Sequence, residues 1–351
     1  MSFLITLLAL GIVIFIHELG HLLAAKRAGV GALEFSIGMG PKLFSKTVNE
    51  TEYSLRLFPV GGFVKLAGLD DGETECPPEL NYFNKSYLQR LLTLAAGAFM
   101  NLILGLCIYI VLFVSVGKQI ISPLISEVSF NTPAAVAGLE KGDRLVSLNG
   151  IPIQDAKDDF IQVVNHSVGK PLTLVYTHHA LPKTVIIVPV ANKHGLGIIG
   201  VSLMPSMVKL PFFQAIPDAL AFSFAQIKNV FISLKLLFTG KVSLSEISGP
   251  VGIIQLASFG FKQGFYQFMS VIAMINMSLG VANLLPFPVL DGGHIMLLGL
   301  EALRKKRLSE KTEGWITTIG ASILIALMVI VIGNDLLNWE ARNHLFKGFH
   351  P

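Results

Sequence analysis

Residues 3–25 read FLITLLALGIVIFIHELGHLLAA, a run whose length and apolarity match a helix crossing the hydrocarbon core of a bilayer. Two imidazoles and one carboxylate sit inside it. On a helix, positions i and i+4 share a face, so His17 and His21 can grip a single metal ion. Glu18 stands beside the first of them, where a carboxylate can take a proton from water activated by that metal. Zinc suits two neutral imidazoles plus one oxygen ligand, with a fourth position left for water or substrate. The plainer alternative is a helix whose histidines only bond their neighbours. It is disfavoured because three polar groups in a membrane segment are costly to keep without a task.

The rest of the chain fits this start. Of its 351 residues 52% are hydrophobic and only 14% charged, which excludes an ordinary soluble protein and indicates several membrane passages. A net charge of +4 is too weak to indicate a nucleic-acid partner, and the basic residues gather in loops instead. Cys76 and Cys107 are the only cysteines, and Cys107 falls in an apolar run, so no disulfide framework is expected. Lys26 and Arg27 follow the first run rather than precede it. That order predicts an uncleaved helix with its N-terminus outside and its C-terminal end in the cytoplasm.

The loop 26–90 is enriched in Lys and Arg, which marks the cytoplasmic side. Within it, 53–57 alternates, Pro59 and Gly61-Gly62 interrupt, and Phe63-Val64-Lys65-Leu66 follows. The pattern predicts a short β-hairpin beside the metal helix, whose edge could add a substrate strand through main-chain hydrogen bonds. Residues 70–78 are acidic and contain proline, as a mobile loop would. A second span is expected over 91–116, with Gly97, Asn101 and Gly105 on one face, a pattern that usually serves helix packing. Residues 118–205 have the composition of a soluble β-rich domain, expected on the outer side. The stretch 210–238 is apolar but carries Asp218, Lys228 and Lys235, which predicts an amphipathic helix lying at the membrane surface.

Residues 268–290 form the third expected span. Pro286 and Pro288 break its end, and irregular backbone at membrane depth requires protein or a water-filled cavity around it. Asp291 is the only acidic group near that break, so it is the expected third ligand. Its alternative role is a helix cap. A basic loop around Arg304–Lys311 and a fourth span over 315–333 complete the chain. Spans one and three thus end on the same side, which brings His17, His21 and Asp291 to comparable depth. The expected fold is an α-helical polytopic membrane protein of about four transmembrane helices, with a membrane-associated β-hairpin and an inserted extracytoplasmic domain. Its expected divisions are 1–116, 117–207, 208–266 and 267–351.

Several motifs together resemble the site-2 protease family of intramembrane zinc metalloproteases, most closely its bacterial branch. They are HELGH at 17–21, FPVGGFVKLAG at 58–68, AGAFMN at 96–101, SGPVGI at 248–253 and NLLPFPVLDGG at 283–293. The resemblance implies one zinc per chain on His17, His21 and Asp291, with Glu18 as the catalytic carboxylate. It implies that the region 53–66, with Gly61, Gly62 and Phe63, is a membrane-reentrant β-loop holding substrate in extended form. Asn283, Pro286 and Pro288 are implied in substrate handling. Residues 132–139, 141–145 and 148–150 resemble a single PDZ domain, which implies a peptide or chain-end ligand. The implied activity is cleavage of single-pass membrane proteins, such as an anti-sigma factor or a remnant signal peptide, in the bacterial inner membrane. The implied site lies towards the cytoplasm and the PDZ domain outside. Competing readings are a non-catalytic PDZ scaffold, a membrane peptidase with a glutamate third ligand, and a metal transporter. The remaining outer-domain histidines, His166, His178, His179 and His194, read as surface residues, and His294 as structural or supporting.

Overall fold

The computed structural model describes residues 2–69, 76–193, 195–241 and 248–340; His194 and most of the acidic loop 70–78 lie outside the described residues. The chain forms two compact units, one from residues up to Leu112 together with those from Phe212 onward, the other from residues 113–211.

The first unit opens with α1 (Ser2–Ala28), followed by β1 (Ala32–Val48), β2 (Thr51–Leu66), a 3-10 turn at Tyr82–Asn84, and α2 (Tyr87–Ser115), which runs to the unit boundary. The second unit contains β3 (Lys118–Val128), α3 (Pro133–Val136), β4 (Arg144–Leu148), β5 (Ile151–Pro152), a π turn leading into α4 (Gln162–Asn165), β6 (Leu172–His178), β7 (Leu181–Ile187), β8 (Val190–Ala191), β9 (Gly197–Ile198) and β10 (Val201–Val208). The chain then returns to the first unit with α5 (Phe212–Phe238), α6 (Pro250–Gln263), α7 (Phe265–Asn283), α8 (Asp291–Arg304) and α9 (Glu310–Leu337).

Among the described residues, five helices are long and apolar enough to cross a membrane: α1, α2, α5, α7 and α9. Four of these match the expected spans. The fifth is α5, expected at the membrane surface; it meets the limits of length and composition despite Asp218, Lys228 and Lys235.

The hairpin differs from expectation. Residues 53–57 and 63–66 do not pair with each other; they are successive halves of one strand, β2, and both pair with β1. Phe35 faces Val64 on one side and Tyr53 on the other, while Thr47 pairs with Glu52. Each strand is therefore folded along its length into two halves. The four segments lie in the order 62–66, 32–37, 51–56, 42–48, all antiparallel. β1 was hidden because Gly38, Gly40 and Pro41 interrupt its alternation. Those glycines are what let it bend, since Gly38 and Gly40 have φ of 85° and 87°. Glu34 braces the fold, accepting hydrogen bonds from Ser54 (2.6 Å) and Arg56 (2.8 Å). Partial burial pushes the Glu34 carboxyl up, but these bonds outweigh it and hold it below its ordinary value. The inner face packs Phe35 and Leu66 with Leu22, Tyr82, Leu94 and Leu298, anchoring the sheet to α1, α2 and α8.

In the second unit the sheet order is β10-β3-β4-β6-β7, with β5 paired to β4. Its core gathers Ile125, Leu145, Leu148, Phe160, Leu174 and Ile187. The expected Asn149-Gly150 turn joins β4 to β5, with both residues at positive φ.

Candidate metal centre

The α1 spacing brings the Nε2 atoms of His17 and His21 to 3.3 Å from each other. Oδ2 of Asp291 stands 3.4 Å from each of them. Ligands about 2.0–2.1 Å from a tetrahedral zinc stand about 3.3–3.4 Å apart, so this near-equilateral triangle fits zinc without rearrangement. The chemistry of the donors points the same way. Asp291 Oδ2 is buried and receives no hydrogen bond among the described residues. Three acceptor atoms that face one another at this distance repel, and a bound cation relieves that repulsion.

Several backbone and side-chain groups turn the ligands inward. His21 Nδ1–H donates to the Thr93 carbonyl at 2.8 Å, which leaves Nε2 bare. The Asn101 amide, fully buried on α2, lies 3.3 Å from His17 Nδ1, and its Oδ1 has no partner in the present orientation. With Oδ1 turned to Nδ1 it accepts the ring proton and frees the second Nε2 in the same way. Gly97 makes the approach of α2 to α1 possible: a Cβ there would sit 2.2 Å from His21 Nε2. The stripe Gly97, Asn101, Gly105 therefore serves both packing and the site, since Gly105 abuts Met277 and the Ala273 carbonyl of α7. Sequence reasoning missed Thr93, whose carbonyl does the work, and only the spacing of the stripe hinted at Asn101.

Asp291 begins α8, and the preceding N-cap residue is Leu290, which makes no side-chain capping bond. The break 284–290 folds back onto the first turn of α8. A Cβ at Gly292 or Gly293 would come within 2.2 Å of the Leu285 or Phe287 carbonyl oxygen, so glycine is required at both. Val289, with φ 84°, holds a conformation costly for a β-branched residue by roughly 1–3 kcal/mol.

The triad opens into a cavity of about 440 Å³ that Glu18, Phe63, Val64, Asn283, Val289 and His294 help to line. Asn283 Nδ2 is 3.4 Å from His17 Nε2. Gly62 lies against Glu18, since a Cβ there would be 3.3 Å from Glu18 Cγ. Segment 62–66 borders the cavity, and no strand pairs with its outer edge among the described residues. Gly61 abuts Met39. Pro286 and Pro288 are not among the lining residues; Pro286 is exposed and Pro288 packs against Gly320 of α9. His178, expected at the surface, is largely buried and bonded to Asp143.

Residues 5–327 match peptidase family M50. A zinc-metalloprotease-like protein of Clostridium acetobutylicum is 36% identical over 336 residues, covering 95% of this chain and 96% of that one. The regulator of sigma-W protease RasP of Bacillus subtilis is 29% identical over 408 aligned positions, 93% of this chain and 96% of that one. A solved PDZ domain of an SdrC-like protein from Listeria monocytogenes is 24% identical, with a TM-score of 0.22, covering 23% of this chain and 85% of that domain. A RasP protein of Bacillus licheniformis, 29% identical over 94% of this chain and 97% of that one, is a zinc metalloprotease, and the His17, His21 and Asp291 donor set fits that metal. The chain belongs to peptidase family M50 and is a zinc metalloprotease.

Proposed function

We propose that this protein is an intramembrane endopeptidase that cuts the membrane-spanning segments of single-pass proteins. The observation that carries the reading is one cavity lined by the His17, His21 and Asp291 triangle, the Glu18 carboxylate and the strand residues Phe63 and Val64. His17, His21 and Asp291 bind the zinc ion. When bound there, zinc polarises a carbonyl and brings the pKa of water to about 7. Glu18 takes the proton of the attacking water and hands it to the leaving amine. Asn283, whose amide nitrogen is 3.4 Å from His17 Nε2, donates a hydrogen bond to the substrate carbonyl oxygen.

A helical substrate hides its carbonyls in its own hydrogen bonds, so it must unwind before attack. Segment 62–65 offers replacement main-chain partners along the side that faces away from 32–37, with Phe63 and Val64 lining the same cavity as Glu18. Residues 117–207 form a PDZ domain on the outer side of a bacterial cytoplasmic membrane and hold an extracytoplasmic chain end. The catalytic cavity lies towards the cytoplasm. The helix α5 rests at the membrane interface. In support, Gly249, just before α6, donates its N–H to Asp335 near the C-terminal end of α9, the end that the basic loop before α9 assigns outside. The scaffold reading is not favoured, because all four groups needed for hydrolysis converge.

The test is cleavage of a tagged single-pass substrate in membranes by the native chain and by Glu18→Gln. Cleavage by the native chain only, with zinc still bound at one equivalent at the helical site of the variant, supports the assignment. Equal cleavage by both would remove Glu18 from the mechanism.

A further inference from the structure

We propose that Glu140, His178 and His179 in the β-rich unit form a second site for a borderline divalent cation, with zinc as the reference ion. One potential donor atom from each of the three lies within 4.8 Å of the other two. The site grows from a two-residue hairpin loop. His178 pairs with Leu181, leaving His179 (φ 48°) and Ala180 (φ 65°) as the central residues of the turn. The turn thus sets the His179 side chain at the tip of the hairpin, next to His178.

Behind the loop stands Asp143, only 3% exposed. Its Oδ2 accepts the Glu140 backbone N–H at 2.9 Å, and its Oδ1 accepts the His178 Nδ1–H at 2.7 Å. One buried carboxylate thus positions two of the three residues. With Nδ1 bonded to Asp143, Nε2 is the ring nitrogen of His178 left for a metal, the carboxylate–histidine–metal arrangement that orients ligands in zinc sites. The His179 ring lies 4.3 Å from that of His178, at 70°. Glu140 and His179 are exposed, so rotation of their side chains closes the set to bonding distance at little cost. Two imidazoles and one carboxylate select zinc, nickel or copper(II) over magnesium or calcium, which prefer oxygen throughout. Water or an outside ligand takes the remaining position.

The experiment measures zinc per chain by atomic emission, on full-length protein in detergent equilibrated against low-micromolar zinc. The native chain should hold about two equivalents. His179→Asn, chosen because asparagine tolerates the left-handed turn, should hold about one and cleave substrate as before. Glu140→Gln should lower the second equivalent's affinity. A His17→Ala/His21→Ala chain should retain about one equivalent and lose it when His179→Asn is added. One equivalent in the native chain, or two in His179→Asn, would overturn the proposal.

Discussion

At the residue scale the centre depends on how closely α2 approaches α1, and Gly97 sets that distance. The Cβ of alanine there would meet His21 Nε2 at 2.2 Å and His17 Cε1 at 2.8 Å. Gly97→Ala should therefore lower cleavage by about 100-fold or more, because misplacing a reacting group by about 1 Å costs that much. Zinc content should fall with it; unchanged zinc and activity would show that α2 can shift without consequence. Asn101 and the Thr93 carbonyl act through the imidazoles, each meeting the nitrogen that does not face the metal. This explains why a polar residue and a glycine recur in the middle of an otherwise apolar helix.

Among the elements, α8 has to be held in place because it carries Asp291. Arg90 of α2 reaches Glu301 of α8 at 2.8 Å, and both side chains are nearly buried. The guanidinium is also stacked among Tyr82, Phe83 and Tyr87, 5.0–5.8 Å from their centroids. Removing one partner strands the other charge, so Glu301→Ala should destabilise the protein by about 3–5 kcal/mol, read as a lower thermal unfolding midpoint in detergent. The double change Arg90→Met/Glu301→Leu should recover most of that loss. Failure to recover would mean that the pair contributes more than the cancellation of its own burial. At the other end of the unit, Asp335 of α9 accepts the N–H groups of Gly249 and Gly252 at 3.0 and 2.8 Å. A carboxylate from a distant helix thereby caps α6, which accounts for the SGPVGI motif at 248–253.

For the whole molecule, the proposed interfacial position of α5 makes a prediction that labelling can check. If it lies at the interface, single cysteines placed at Lys209 and Lys241, which flank it, should both react with a membrane-impermeant thiol reagent added outside intact cells. Cys76 and Cys107 would first be replaced by serine to clear the background. Labelling of Lys209→Cys alone would mean that α5 crosses, as its length and apolarity permit. Lys46→Cys, in the loop expected in the cytoplasm, should stay unlabelled until the cells are opened.

The His17, His21 and Asp291 cluster and Glu18 beside it, the proposed ligands and base, were legible in the sequence because most of the signal is local. His17 and His21 are tied by helical period, Glu18 is their neighbour, and Asp291 stands out as the lone acid beside a break in an apolar run. Four of the five long apolar helices were readable for a similar reason, since hydropathy is a property of consecutive residues. The sheet was not readable. Strand β1 bends at Gly38 and Gly40, and the pairing of β2 with both halves of β1 depends on contacts between residues up to 34 positions apart, as in Ala32 with Leu66. Nor could the sequence show which backbone carbonyl would meet His21, how near Gly97 would come, or that Asp143 would orient His178. Those are distances between separate elements, and only packing decides them.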